Sequence, residues 1–221
     1  MNSARRTHSP VWLFDLDNTL HDASRHIFPH INRAMVDYIC RHLSVDEQQA
    51  TRLRQNYWLR YGATLLGLMR HHRIDPNHFL WHTHQFPDLS RMLVFERALR
   101  VMLRRLPGRK IVFSNAPDHY SRAVLESTGI ARCFDAVYSV ERFAFQPKPA
   151  IGGFRVLLQR ERLAAERCIM VEDSAANLRT AKRLGMTTVW ISRSTRQPAW
   201  VDSRLNSILE LTWRRPAVRA R

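Results

Sequence analysis

From about residue 95 onward, short apolar runs alternate with segments whose apolar residues recur at helical spacing. The runs have the length of buried strands, and the segments between them repeat every three to four residues. Strands and helices that alternate in this way form parallel βαβ units with right-handed crossovers. The pattern predicts strands at Lys110–Ser114, Asp135–Val140, Cys168–Glu172 and Thr187–Ile191, and helices near residues 95–106, 118–128, 154–158 and 175–185.

Residues 22–93 carry helical patterns without strands, although an apolar strand-like run begins before them at Val11. Four helices are expected there, around residues 27–39, 45–61 and 65–72 and from Asp75-Pro76 onward. The sequence therefore predicts an α/β protein with a Rossmann-like parallel sheet, helices on both faces and an all-helical cap inserted after the first strand. The predicted core comprises residues 1–21 and 94–221, the cap residues 22–93, and a flexible basic tail residues 214–221.

Length and composition are typical of a globular protein. The chain has 221 residues, 45% of them hydrophobic, which suffices for one substantial core with an insertion. No apolar run approaches the length of a membrane span, and the N-terminal residues lack the apolar segment of a signal peptide. Three widely separated cysteines favour a reducing compartment over a disulfide framework. We therefore expect a cytoplasmic protein without a membrane partner.

The formal net charge of +16 raises a nucleic-acid-binding hypothesis, because basic surfaces bind phosphate backbones. The arginines are nevertheless spread along the chain, and the denser clusters lie at the two ends, as in frayed basic tails. A general preference for arginine over lysine explains the composition equally well. Specific nucleic-acid binding is therefore not expected to be the main function.

Two aspartates, Asp15 and Asp17, follow the apolar run that begins at Val11. One interpretation is that they only end a strand, since Asp and Asn accept turn geometry. In a strand, however, residues two apart share a face, so the two carboxylates could converge on one point. Like charges at that distance require a cation or a shared proton, and Mg²⁺ suits carboxylate oxygens. Other strand ends decide between the two interpretations.

Three further strand ends carry polar groups. The second strand ends in Ser114-Asn115, a hydroxyl and an amide that can bond a phosphate oxygen. The loop after the third holds Lys148 between two prolines, and the strand at residues 168–172 ends in Glu172-Asp173, a second acidic pair. Parallel strands direct these groups to the edge where such sheets bind ligands. Together they favour a phosphate and metal site.

These residues resemble the motifs of the haloacid dehalogenase-like hydrolases, in the phosphatase branch with a helical cap. Asp15–Leu20 is similar to the first motif, Ser114 to the second, Lys148-Pro149 to the third and Glu172-Asp173 to the fourth. Within the family, residues 61–79, 106–116 and 171–190 resemble the pyrimidine 5′-nucleotidase-like group. The chain departs from that group at His21, Ser114 and the segment Ile151-Gly152-Gly153.

The resemblance implies a role for each residue. Asp15 would be the nucleophile that forms an aspartyl-phosphate, and Asp17 the general acid and base. Mg²⁺ would be held by Asp15, the backbone carbonyl of Asp17 and Asp173, with Glu172 acting through water. The phosphoryl group would be bound by Ser114, Asn115, Lys148, which is also catalytic, and backbone N–H groups near Asn18.

The expected function is therefore Mg²⁺-dependent hydrolysis of a small phosphorylated metabolite. A pyrimidine nucleoside 5′-monophosphate is the first-ranked substrate. One alternative is a phosphatase or phosphotransferase for a sugar or cofactor phosphate, and another is a nucleic-acid-binding protein on a hydrolase scaffold. Discrimination is expected from the cap, with Tyr61 and His71 as candidate substrate contacts. Aromatic residues at helical spacing are also frequent in cores, so both interpretations of the cap aromatics stay open.

Overall fold

The computed structural model describes residues 9–212, and the predicted basic tail at residues 214–221 lies outside them. Six parallel strands form one sheet in the order β3-β2-β1-β4-β5-β6. Their bounds are β1 Val11–Phe14, β2 Arg109–Phe113, β3 Ala136–Tyr138, β4 Cys168–Glu172, β5 Thr187–Ile191 and β6 Ser203–Leu205. The predicted Rossmann-like α/β fold is confirmed.

The central strands β1 and β4 are buried at every position, and all their residues except Glu172 are apolar. In β1, Val11 and Leu13 join one core cluster while Trp12 and Phe14 join another, as the two-residue repeat of a strand requires. The helices that cover the two faces are α6 Leu99–Arg105 and α7 Asp118–Ser127 on one, and α8 Ile151–Arg160 and α9 Ala175–Arg183 on the other. Single turns of 3₁₀ helix lie at Ala131–Cys133, Val140–Phe143, Ala165–Arg167 and Ile208–Glu210.

Five helices stand between β1 and α6, in the segment predicted to be the cap. They are α1 Ile27–Leu43, α2 Glu47–Tyr61, α3 Thr64–His72, α4 Pro76–Thr83 and α5 Leu89–Met92. The Asp46 carboxylate caps α2 and the Asp75 carboxylate caps α4, each by accepting backbone N–H groups of the first turn. None of the helices in residues 9–212 is long and apolar enough to cross a membrane.

Several elements differ from the sequence prediction, and the strand predicted at Asp135–Val140 is shorter, at Ala136–Tyr138. Helix α6 begins at Leu99, four residues after Phe95, and two elements, α5 and β6, were not predicted. Helix α5 is a single turn capped by the Asp88 side chain, and β6 is a three-residue edge strand with an exposed serine. Segments this short contain too few residues to show a repeat.

The packing of α2 against α3 depends on one residue without a side chain. A Cβ atom on Gly67 of α3 would lie 2.1 Å from the Tyr57 ring of α2. Gly67→Ala should therefore lower the stability by about 1–3 kcal/mol through overpacking, although alanine favours helices. This corresponds to a melting temperature about 3–10 °C lower, measured by thermal unfolding.

Gly152→Ala in α8 is the matched control. Its Cβ would meet only the flexible end of the Gln146 side chain, 2.0 Å away, which can move aside. Its melting temperature should stay within about 3 °C of the wild-type value. Equal effects of the two substitutions would contradict the tight contact between α2 and α3.

Candidate active site

The carboxyl ends of three neighbouring strands bring the predicted site residues to one edge of the sheet. Asp15 follows β1, Ser114 follows β2 and Glu172 is the last residue of β4. Lys148 reaches the same place from the loop between β3 and α8. All four are buried, although their side chains are polar or charged. Residues that are 133 positions apart along the chain are thus in direct contact.

The Lys148 ammonium lies between two carboxylates. It donates a 2.7 Å hydrogen bond to Oδ1 of Asp15 and another of 2.7 Å to Oε2 of Glu172. Burial alone would lower the pKa of Lys148, but the two carboxylates outweigh burial and raise that pKa to about 12. The lysine is therefore a permanent cation, and two of its three N–H donors are bonded to these acids.

Three carboxylates surround that one cation. Oxygen atoms of Asp15, Glu172 and Asp173 lie within 4.8 Å of one another. Burial raises the pKa of each, and repulsion by Glu172 helps to raise that of Asp15 to about 7. Three ionised carboxylates and one ammonium leave two uncompensated negative charges. Hard oxygen donors with that excess charge fit a divalent cation such as Mg²⁺.

Asp17 does not point into the carboxylate group. Strand β1 ends at Phe14, so the two-residue rule for strands does not extend to Asp17, which lies outside the group of Asp15, Glu172 and Asp173. The charge of Asp17 still helps to raise the pKa of Asp15, and the convergence of the two carboxylates stays a prediction. Oδ1 of Asp17 accepts a 2.7 Å hydrogen bond from the Tyr120 hydroxyl and lies 2.9 Å from Nε2 of His21. Of Asp17, only the backbone carbonyl remains as a candidate metal ligand.

The side chains of Asn115 and Asn18 hold loops beside the site. The Asn115 amide accepts from the backbone N–H of Lys148 at 2.7 Å and donates to its carbonyl at 2.9 Å. The Asn18 carbonyl oxygen accepts from the backbone N–H groups of Ala23 and Ser24, both at 3.0 Å. Asn115 therefore fixes the Lys148 loop, and Asn18 is left with its backbone for binding an anion.

A cavity of about 840 Å³ opens over this edge of the sheet. The core contributes Asp15, Asp17, Ser114, Asn115, Lys148, Glu172 and Asp173 to its walls. The cap contributes residues of α1 to α4, including Asn32, Arg54, Trp58 and Phe79. The volume lies within the range of small-molecule sites. Core and cap therefore enclose one site together.

Tyr61 and His71 do not line this cavity. They lie on the exposed side of the cap, where the Tyr61 hydroxyl and Nε2 of His71 are 2.6 Å apart. The structure therefore does not bring the two predicted substrate contacts to the site. Trp58, on the same helix as Tyr61, lines the cavity with a side chain that is 59% exposed.

Sequence reasoning missed several residues at the site. Tyr120 and Arg54 sit on helices with ordinary patterns, and only the folded contacts show that they face Asp17 and the cavity. His84 also lines the cavity, and burial lowers its pKa to about 4, so that it is neutral at pH 7. His21 is the exception, since its departure from the family pattern marked it, although not its contact with Asp17.

Comparison with known proteins agrees with this arrangement. A family model described as haloacid dehalogenase-like hydrolase matches residues 11–185. Among curated proteins, Phosphate metabolism protein 8 of Saccharomyces cerevisiae is 24% identical over 195 residues, which cover 80% of this chain. The matched region spans 59% of the length of the yeast protein.

Solved structures of low identity share the fold. A HAD phosphatase from Thermococcus onnurineus matches with a TM-score of 0.65 and 20% identity, over 91% of this chain and 95% of the other. CbbY from Rhodobacter sphaeroides, solved in complex with phosphate, matches with a TM-score of 0.66 and 19% identity, over 91% and 96%. Because the family model runs from β1 to the end of α9 and so includes every strand end that builds the site, the chain belongs to the haloacid dehalogenase-like hydrolases.

Proposed function

We propose that this protein is a Mg²⁺-dependent phosphomonoesterase that hydrolyses a small phosphate ester through an aspartyl-phosphate on Asp15. The observation that carries the proposal is the group of three carboxylates around Lys148, two of them buried, which exceed its positive charge by two when all are ionised. A phosphate dianion can approach such a group only if a cation compensates its charge. A haloacid, the substrate from which the family takes its name, carries only one negative charge.

The proposed reaction has two balanced steps. A carboxylate oxygen of Asp15 bonds to phosphorus while the bond from phosphorus to the leaving oxygen breaks, and Asp17 protonates that oxygen to give the alcohol. Asp17 then takes a proton from water, which attacks phosphorus and breaks the bond to Asp15. The products are an alcohol and inorganic phosphate, and both aspartates return to their starting states.

The remaining residues hold reactants in place. Lys148 and the Ser114 hydroxyl, both on the cavity wall, are proposed to bind the phosphoryl oxygens together with backbone N–H groups near Asn18. Asp15, Asp173 and the backbone carbonyl of Asp17 would hold Mg²⁺, with Glu172 acting through water. The ion supplies the positive charge that lets the anionic substrate approach the carboxylates.

For the leaving group, we propose a pyrimidine nucleoside 5′-monophosphate as the first substrate class to test. The resemblance of the cap to the pyrimidine 5′-nucleotidase-like group supports it, and so does the exposed ring of Trp58, which offers a surface for stacking a base. A second class, a metabolite with a further acidic group, is favoured by Arg54, a cap residue on the cavity wall.

Asp15→Asn should abolish hydrolysis, because an amide is not a nucleophile at phosphorus. We expect at least about a 1,000-fold lower kcat for release of phosphate from uridine 5′-monophosphate and from p-nitrophenyl phosphate. Asp22→Asn, which changes an exposed aspartate outside the cavity, is the control and should stay within about twofold of wild type. Turnover by Asp15→Asn within tenfold of wild type, with its fold intact by circular dichroism, would overturn the assignment of the nucleophile.

Tyr120→Phe should impair proton delivery by Asp17, because the 2.7 Å hydrogen bond from Tyr120 fixes that carboxylate. The kcat should fall about 10-fold or more for an alkyl phosphate, and less for p-nitrophenyl phosphate, whose leaving group departs as a stable anion. The matched control is Tyr138→Phe, which removes an equal 2.7 Å bond to Glu161 away from the cavity. Equal losses on both esters would argue against a role for Tyr120 in proton transfer.

Mg²⁺ should stabilise the protein more at pH 8 than at pH 5. Without metal, the pKa of Asp15 is raised from 3.8 to about 7, so the folded chain retains a proton that the unfolded chain has released. The free energy of unfolding therefore falls as pH rises through that window. At 100 times its dissociation constant, an ion contributes about 2.7 kcal/mol, or about 5–10 °C in melting temperature, and protons compete with it at pH 5.

Thermal unfolding with and without Mg²⁺ at the two pH values measures this difference. Asp173→Asn should lose most of the gain, while Asp37→Asn, at an exposed position of α1, should keep it. A gain that is the same at both pH values would be evidence against an ion bound by these carboxylates.

A further inference from the structure

The cap places one arginine on the wall of the cavity. Arg54 lies on α2 and lines the same cavity as Asp15, Ser114 and Lys148. Its Nη1 donates a 2.9 Å hydrogen bond to the side-chain oxygen of Asn32 on α1, which fixes the guanidinium between two cap helices. A strong cation thus faces the catalytic centre from the side where the leaving group of a phosphate ester would lie.

The charge of Arg54 is not compensated within residues 9–212. Its Nε is buried and has no hydrogen-bond partner there, and no carboxylate forms a salt bridge with it. Arg109 and Arg122, by contrast, form salt bridges with Glu161 and Asp118. The uncompensated charge of Arg54 on the cavity wall would therefore stabilise an anion bound in the cavity.

The planar shape of the Arg54 guanidinium indicates which kind of ligand it would bind. A guanidinium presents planar, parallel N–H donors that match the oxygens of a carboxylate or a phosphate, and an anion also neutralises its charge. Phe28, Ile31, Leu65 and Phe79 supply apolar surface to the same cavity, where such an interaction is weakly screened. A neutral hydroxyl would leave the charge uncompensated.

We infer that Arg54, oriented by Asn32, binds a second anionic group carried by the leaving-group part of the substrate. The substrate class is then a phosphate monoester that also bears a carboxylate or another phosphate. The inference rests on the proposed phosphatase function. It differs from the nucleotide proposal in one respect: the leaving-group part of the substrate carries an anion here, whereas a nucleoside carries a neutral base.

The test compares pairs of esters that differ in the distal anion. Glycerol 3-phosphate is paired with 3-phosphoglycerate for the carboxylate, and fructose 6-phosphate with fructose 1,6-bisphosphate for the phosphate. Uridine and cytidine 5′-monophosphates represent the neutral base, and p-nitrophenyl phosphate is the small reference ester. Wild-type kcat/KM should be about 10- to 100-fold higher for at least one anionic member than for its partner.

Three variants assign that preference to the side chain. Arg54→Met should lower kcat/KM for the preferred anionic ester about 10- to 100-fold, mainly through KM, and leave p-nitrophenyl phosphate within about twofold. Arg54→Lys should restore part of the loss, because it keeps the charge but not the planar fork. Arg52→Met, at an exposed position of the same helix outside the cavity, should behave as wild type.

The outcomes separate the two proposals. Hydrolysis of the esters without any preference for a distal anion, or a preference that survives in Arg54→Met, would overturn the inference and leave the phosphatase proposal standing. If no ester is hydrolysed, the phosphatase proposal fails. Calorimetric titration of the wild type and Arg54→Met with fructose 1,6-bisphosphate then decides, since anion binding that does not depend on Arg54 would also refute the inference.

Discussion

The contact on which the site depends is the buried ammonium of Lys148 between Asp15 and Glu172. Each of its 2.7 Å hydrogen bonds joins charges that would be strongly unfavourable alone in the core. Without the lysine, the pKa values of Asp15 and Glu172 would be raised further, because the Lys148 charge lowers both. A protonated Asp15 could not act as the proposed nucleophile. With the lysine, Asp15 is held in one orientation at the cavity wall. The lysine thereby connects folding and chemistry.

The surrounding structure holds that lysine by its backbone as well. Asn115 bonds both the N–H and the carbonyl of Lys148, and the Thr180 hydroxyl donates to the next carbonyl, that of Pro149, at 2.8 Å. Those anchors follow β2 and lie in α9, two elements far apart in the sequence. A parallel sheet makes this possible because the carboxyl ends of its strands share one edge. The position of Lys148 is thus set by the whole core.

The site residues that could be predicted from the sequence are those at the ends of strands. β4 and β5 have the predicted bounds, since fully buried parallel strands are continuous apolar runs. Glu172 is the last residue of β4, and Asp15 and Ser114 directly follow β1 and β2. The hydrogen-bond partners of the side chains could not be predicted. An asparagine after a strand looks the same in the sequence whether its side chain binds an anion or holds a loop. Only the contacts made 33 residues away assign Asn115 to the loop.

The position of the helical cap in the chain could be predicted from the sequence, but the residues that face the cavity could not. The stretch that contains Tyr61 and His71 is rich in aromatic residues and histidine, yet these two bind each other on the outer surface while Arg54 and Trp58 line the cavity. Helix α2 is polar along most of its length and has a single fully buried residue, Ala50, so no apolar stripe marks which side faces the core. Its orientation is decided by packing against α1 and α3.

The charge of the site in the core is opposite in sign to the net charge of the chain. The carboxylates at the sheet edge exceed their lysine by two charges, whereas the chain as a whole carries +16. A basic surface attracts any phosphorylated molecule over roughly the Debye length, about 8 Å at physiological salt, and does not discriminate. The core repels that molecule until its own charge is compensated. Selection among phosphate esters must therefore act at short range in the cap, where a fixed guanidinium can distinguish one leaving group from another and a diffuse net charge cannot.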